Sequence, residues 1–88
     1  MIAGNLMNND AINHPVHYQG NNGLEVFDVM EAFMSDVSGI DAVCMGNVIK
    51  YILRWKHKNG VEDLKKARWY LNKLIDNQAK TLEARNDE

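Results

Sequence analysis

The stretch NVIKYILRWKHKNGVEDLKKARWYLNKLI, residues 47–75, decides the fold of this chain. It contains two blocks in which apolar residues recur every three or four positions, which is the spacing of an amphipathic helix. Between the blocks stands Asn59-Gly60, a pair that tolerates the positive φ angles found at helix ends. Asn59 also stands three residues before Glu62, as in a capping box. The stretch therefore predicts two helices joined by a tight turn.

Three helices are predicted in total. The second should run from about Asp41, a favourable N-cap residue, to Lys58, and the third from about Val61 to the mid-eighties. An earlier segment, residues 24–35, repeats its apolar positions with a period near 3.6 and predicts a short first helix. No alternating run predicts a strand. We therefore expect an all-α fold, a small three-helix domain over residues 24–86.

Residues 1–23 have a different composition, rich in Asn and Gly, and they contain the only proline, Pro15. Such a composition favours turns and extended backbone, so we expect an irregular N-terminal arm. The arm carries His14, His17 and Tyr18 around that proline. We expect it to dock on the helices, or to line a pocket in which an imidazole donates to phosphate or acts as an acid or base.

The chain is expected to form a homo-oligomer. Its 88 residues make one domain at most, and a core of that size rarely supplies more than about 3–5 kcal/mol. Cys44 is the only cysteine, so no disulfide can form within the chain. The apolar stripes comprise Val48, Ile49, Ile52, Leu53 and Trp55 in the second helix and Leu64, Ala67, Leu71, Leu74, Ile75 and Leu82, with Gln78, in the third. They exceed what one three-helix subunit buries.

Charge and hydropathy exclude several classes of function. The formal net charge of -2 gives no strong signal for nucleic-acid binding. No run of apolar residues is long enough to span a membrane, and the N-terminus lacks the pattern of a signal peptide. The sequence therefore predicts a soluble intracellular protein without a membrane partner.

A narrow polar stripe runs along the second helix. It consists of Asn47, Lys50, Tyr51, Arg54 and Lys58, which fall within roughly 60° of one direction and have apolar residues on both sides. An ordinary surface helix has one broad polar face, in which case the lysines would simply cover apolar surface with their stems. The alternative is a groove floor that binds phosphate, with arginine as a planar fork and lysine as a point charge.

Acidic residues offer a second type of site. Glu25 and Asp28 lie on one face of the first helix, as do the paired acids that hold Mg²⁺ in helical nucleotide pyrophosphohydrolases. Those enzymes need a second acidic pair, for which only Glu62-Asp63 is available, and adjacent residues point about 100° apart. Near a helix N-terminus, acids also simply complement the helix dipole.

The third helix opens with Asp63, Lys66 and Tyr70 on one face, at i, i+3 and i+7. Local ion pairs such as Glu62 with Lys66 would explain these charges by a small gain in helix stability. Alternatively, Asp63 turns across the tight turn towards Arg54 or Lys58 and orients those basic side chains.

Together, INHPVHYQ, GLEVFDVMEAF and GNVIKYILRWKHKNGVEDLKKARWYLNKLI resemble the small phage-encoded SaV-like family, some members of which are described as nucleotide kinases. The resemblance covers about residues 12–75 and implies a phage protein that acts in nucleotide metabolism or host takeover in the host cytoplasm. The resemblance extends to all the candidate site residues without assigning their roles. From the residue types we expect catalysis by His14, His17 and Asp63, a metal site at Glu25 and Asp28, and ligand binding by Tyr18, Asn47, Lys50, Tyr51, Arg54, Lys58, Lys66 and Tyr70.

Three functions follow as hypotheses. The first is a nucleoside monophosphate kinase-like phosphotransferase with an intersubunit site, using ATP or another nucleotide as donor and Mg²⁺; it would not be of the P-loop type, since the chain has no G-x-x-x-x-G-K-[ST]. The second is a non-catalytic oligomer that binds nucleotides or a host protein in host takeover or defence evasion. The third is a helical nucleotide pyrophosphohydrolase.

Overall fold

The computed structural model describes residues 19–86, and this part of the chain is built from three α-helices. They are α1 (Val26–Phe33), α2 (Gly39–Arg54) and α3 (Val61–Asn86). No strand occurs between residues 19 and 86; the nearest feature is one isolated bridge between Gln19 and Glu25. The all-α prediction is confirmed. Of the predicted arm, only residues 19–23 lie in the described part, and they form a turn.

α1 is shorter than the 24–35 segment that the periodicity predicted. Its start is fixed by the carboxylate of Asp28, whose Oδ2 accepts a hydrogen bond of 2.8 Å from the Glu25 N–H. This bond occupies a backbone donor that would otherwise have no partner within the helix. The carboxylate also lies in the first turn, where it complements the helix dipole.

α2 begins earlier than predicted, and the assignment of Asp41 as its N-cap was wrong. The N-cap position is Ser38, and Asp41 lies within the first turn. Its carboxylate oxygens instead accept hydrogen bonds from α3, at 2.7 Å from Asn77 Nδ2 and 2.6 Å from Gln78 Nε2. An acid that is a good N-cap by residue type is thus used to join two helices.

The turn between α2 and α3 also differs in detail from the prediction. α2 ends at Arg54 and a single 3₁₀ turn, Trp55–His57, takes the place of the predicted last helical turn. Gly60 has φ +59°, as expected for a residue at this position. The predicted capping box between Asn59 and Glu62 was wrong, because Asn59 donates from its backbone and side chain to Asp63.

α2 and α3 form an antiparallel helical hairpin. Asp41 near the start of α2 meets Asn77 in the later part of α3, whereas Arg54 at the end of α2 meets Asp63 in the first turn of α3. Between these contacts lie the buried side chains of Cys44 and Ala67. The free thiol of Cys44 therefore acts as a small apolar core residue.

The single chain leaves most of its predicted apolar stripes exposed. Ile52, Leu53 and Trp55 of the first stripe are exposed, as are Leu71, Ile75 and Leu82 of α3. Each helix of the hairpin is covered along one side by the other, and the eight residues of α1 are too few to cover a second side. Within residues 19–86, none of the helices is both long and apolar enough for a membrane span.

Candidate anion-binding site

The ring of Tyr51 lies where α2 and α3 face each other. It stacks on Tyr70 of α3, with ring centroids 6.0 Å apart and an interplanar angle of 19°. Trp69 approaches Tyr70 edge-on, at 5.0 Å and 82°. The helical period places Tyr51 and Tyr70 on the facing sides of the hairpin, so their contact follows from the register of the two helices. Two phenol rings are thereby held side by side.

Three cationic side chains surround the ring of Tyr51. The Lys50 Nζ lies 4.6 Å from its centroid, the Arg54 Cζ 4.8 Å and the Lys66 Nζ 5.5 Å. All three distances are within the range of cation–π attraction. We call the set formed by Lys50, Tyr51, Arg54, Lys66 and Tyr70 the basic–aromatic cluster. Its positive groups repel one another, and an anion bound among them would reduce this repulsion.

Arg54 is held by a buried ion pair with Asp63. The Nε and Nη2 atoms donate to Oδ2 and Oδ1, each at 3.2 Å, in a paired fork geometry. Asp63 is completely buried and Arg54 is 7% exposed. Asn59 adds two further hydrogen bonds to the same carboxylate. The planar fork of Arg54, which the sequence suggested for phosphate, is thus directed at a protein carboxylate.

These contacts change the acidity of Asp63. The hydrogen bonds from Arg54 lower the pKa of this carboxyl from 3.8 to about 2, against the opposing effect of burial, with help from the two Asn59 donors and the positive charge of Arg54. The carboxylate is therefore ionised at neutral pH and fully hydrogen-bonded. This geometry gives Asp63 and Arg54 a structural role; their predicted parts in catalysis and ligand binding stay predictions.

The two lysines of the cluster are less tightly held. Lys66 lies 3.9 Å from Glu62 in an exposed i,i+4 pair, a contact that contributes little. Within residues 19–86, no acidic side chain forms an ion pair with Lys50. The cluster therefore has one cation fixed by a buried acid and two that are available to a ligand.

The other predicted ligand residues are placed differently. Asn47 is one helical turn before Tyr51 and donates from Nδ2 to the Val43 carbonyl at 2.9 Å. Lys58 is exposed in the turn after the 3₁₀ residues, and no contact brings it to the cluster within the described part of the chain. His14, His17 and Tyr18 lie outside the described residues, so their predicted roles stay predictions.

The acidic residues proposed for Mg²⁺ do not meet a second pair. Asp28 uses its carboxylate on the backbone of Glu25, and Asp63 is enclosed by Arg54 and Asn59. In the part of the chain from 19 to 86, no group of three or more His, Cys, Asp or Glu side chains could hold a metal ion. The described geometry therefore favours the alternative in which these acids stabilise the start of α1, and the metal site stays a prediction.

The main contact that was not predicted from the sequence is the pair of hydrogen bonds that Asn59 donates to Asp63. A signal was present, since Asn59 precedes Asp63 by four residues across the start of α3, a spacing at which a carboxylate at the third helical position can accept a donor from the preceding turn. The more familiar Asn-x-x-Glu pattern with Glu62 obscured it.

The lowered pKa of Asp63 predicts an acid-sensitive fold. Because the folded state binds this proton less tightly than the unfolded state, the carboxylate contributes its full stability above about pH 4, and this contribution is lost as the pH falls to about 2. Thermal melts of the wild type should therefore show a falling melting temperature across this interval. An Asp63→Asn variant should have a lower melting temperature at neutral pH and a flatter dependence of that temperature on pH. An equally steep fall in this variant would show that Asp63 is not the group responsible.

Comparison with protein families matches residues 12–72 to DUF3310, described as a protein of unknown function. The matched range covers more than half of the chain and includes α1, α2 and the start of α3. The chain belongs to this family. No curated protein and no solved structure matches it.

Proposed function

We propose that this protein binds a phosphate-bearing ligand of the nucleotide class at the basic–aromatic cluster. The observation that carries the proposal is the convergence of Lys50, Arg54 and Lys66 on the ring of Tyr51. Only Arg54 is matched by a buried acid. A phosphate group placed between the two lysines would neutralise their repulsion.

Arg54 supports this site without being its main contact. Its bond to Asp63 fixes the guanidinium beside the ring of Tyr51, and Tyr70 supports the ring from α3. A ring held on both sides loses little freedom when a ligand binds, which favours affinity. The phenol groups of the two tyrosines are neutral donors of the kind that phosphate oxygens accept.

For the chemistry, we propose a nucleoside monophosphate kinase-like phosphotransferase. The proposal is supported by the resemblance to the phage SaV-like family. We propose ATP or another nucleotide as the phosphate donor, Mg²⁺ as the counter-ion and the host cytoplasm as the location. Phosphoryl transfer depends mainly on positioning and on neutralising charge, which a cluster of cations supplies. His14 and His17 are the proposed acid–base groups. A non-catalytic binder of nucleotides or of a host protein is the alternative. A helical pyrophosphohydrolase is the further alternative, although residues 19–86 contain no group of three or more His, Cys, Asp or Glu side chains that could hold a metal ion.

One assay separates these activities. The purified protein is incubated with ATP and a deoxynucleoside monophosphate, with and without EDTA. Formation of a deoxynucleoside diphosphate supports the phosphotransferase, release of pyrophosphate supports the pyrophosphohydrolase, and binding without turnover supports the non-catalytic alternative.

Loss of the two available lysines should weaken ligand binding strongly. A charged hydrogen bond contributes roughly 1.5–3 kcal/mol, so Lys50→Gln with Lys66→Gln should weaken ATP binding by at least a hundredfold, roughly tenfold for each lysine. Isothermal titration calorimetry measures this change. Lys73→Gln with Lys80→Gln is the matched control, because it removes two exposed lysines from α3 away from the cluster. Equal affinities of the two double variants would refute the site.

We also propose that the protein self-associates. Exposed apolar side chains line one side of α3 at a coiled-coil-like spacing of four, three and four residues: Leu71, Ile75 and Leu82, with Gln78 between them. We call these four residues the α3 stripe. Since the later part of α3 extends past the start of α2, a second copy is the partner whose own stripe matches it in length and chemistry.

A further inference from the structure

We propose that the groove between α1 and α2 holds the nucleoside part of the ligand whose phosphate lies at the basic–aromatic cluster. This inference rests on the proposed function and adds a ring-binding subsite to it. The groove has a volume of about 490 Å³. That is within the range of small-molecule sites, which are mostly apolar with a few polar groups at defined places.

The walls of the groove are suited to a flat heterocycle. Phe27 and Met30 of α1 lie on one side, with Met34, the residue that follows α1, and Val43 of α2 lies on the other. Thioether groups make favourable contacts with aromatic rings, and they adapt to the shape of a ligand. Phe27 is 70% exposed, so its ring is free to stack on a bound base. Glu31, which also lines the groove, is acidic, so this part of the site disfavours phosphate and suits the uncharged nucleoside part of a ligand.

Gly46 forms the floor of the groove, and packing does not explain it. A Cβ atom at this position would lie 3.8 Å from the Met34 Cε and 3.9 Å from the Met30 Cε, which are ordinary van der Waals distances. Alanine would therefore fit, and it is much more favourable than glycine in the interior of a helix. With no side chain at this position the floor of the groove stays low, which leaves room above it for a flat ring or for a single methyl group.

Lys50 joins the groove to the cluster. It lies one helical turn after Gly46, lines the same groove and places its ammonium group over Tyr51. Asn47 also lines the groove, and because its Nδ2 donates to Val43, its Oδ1 is available to accept a hydrogen bond from a ring amine. A single ligand with a ring at one end and phosphate at the other fits this arrangement.

ATP and tripolyphosphate provide matched probes, because they carry the same phosphate chain with and without a nucleoside. For the wild type, calorimetry should give an ATP affinity at least tenfold above that of tripolyphosphate. Gly46→Leu fills the groove and should reduce ATP binding to the level of tripolyphosphate, whose own affinity should not change. Gly46→Ala is the control; it should leave both affinities within twofold and raise the melting temperature.

The outcomes distinguish the two proposals. Failure of the wild type to bind either probe refutes the proposed function itself. Equal binding of both probes, or an unchanged ATP affinity in Gly46→Leu, overturns the groove alone. If Gly46→Leu fails to fold by circular dichroism, Phe27→Ala takes its place, since truncating this exposed ring should cost little stability. That variant should lose ATP affinity selectively, and an equal loss of both probes overturns the inference.

Discussion

An Asp63→Ala variant should melt more than about 10 °C below the wild type, or fail to fold, because it leaves the guanidinium of Arg54 buried without its acid. Asn59 would lose its two bonds to the same carboxylate, so the turn between α2 and α3 would be released as well. Thermal denaturation followed by circular dichroism measures the effect.

The neighbouring acid supplies the control for this prediction. Glu62→Ala removes the same charge from the adjacent position, but the Glu62 side chain is 69% exposed and its contact with Lys66 is long. Its melting temperature should stay within about 3 °C of the wild type. If both variants melted alike, the pair would be an ordinary surface contact and Arg54 would be available to ligands after all. Arg54→Lys, which keeps the charge but not the fork, should fall between the two.

The helical hairpin could be predicted because two strong local signals agree. The apolar period of residues 47–75 and the Asn59-Gly60 break both place a turn at the same point, and the structure has it there. Asp41 is a residue whose contacts could not be predicted from local sequence. Its residue type suits an N-cap, but the bonds to Asn77 and Gln78 depend on how α2 and α3 are aligned, and no local pattern encodes that alignment.

All five residues of the basic–aromatic cluster were among the predicted ligand-binding residues, but so was Lys58, which no contact brings to the cluster within residues 19–86. A helical projection groups Lys50, Tyr51 and Arg54 on one side of α2. The projection cannot show which of these side chains α3 covers. In the structure Arg54 is buried, whereas Lys50 is only partly covered. Lys66 was found from the sequence through its spacing with Asp63, yet its approach to Tyr51 follows only from the packed hairpin.

The buried pair and the open lysines are connected through one ring. Tyr51 contacts Arg54, which Asp63 and Asn59 hold in place, and the same ring carries Lys50 at 4.6 Å. Loss of the Arg54–Asp63 ion pair should therefore first increase the freedom of the Tyr51 ring. The two lysines of the cluster would be affected only through this ring. The fold thus places a rigid element immediately beneath the two side chains that we propose to contact phosphate.

The oligomeric state provides the other large effect. Light scattering at micromolar concentration should give a mass of at least twice the 10.1 kDa of the single chain. Ile75→Gln with Leu82→Gln should shift the protein to the monomer, because these side chains are 54% and 56% exposed in one chain and would be covered in a dimer. Four such side chains per dimer predict a loss of affinity of roughly a hundred- to a thousandfold.

A polar substitution elsewhere on α3 tests whether the α3 stripe itself is responsible. Lys73→Gln with Lys80→Gln places the same residue type roughly on the opposite side of the helix, so it should leave the mass unchanged. A monomeric stripe variant that still binds ATP would place the ligand site within one subunit. Loss of ATP binding together with association would place it between subunits, as the sequence predicted. A wild type that scatters as a 10.1 kDa monomer would refute self-association and leave the exposed stripe unexplained.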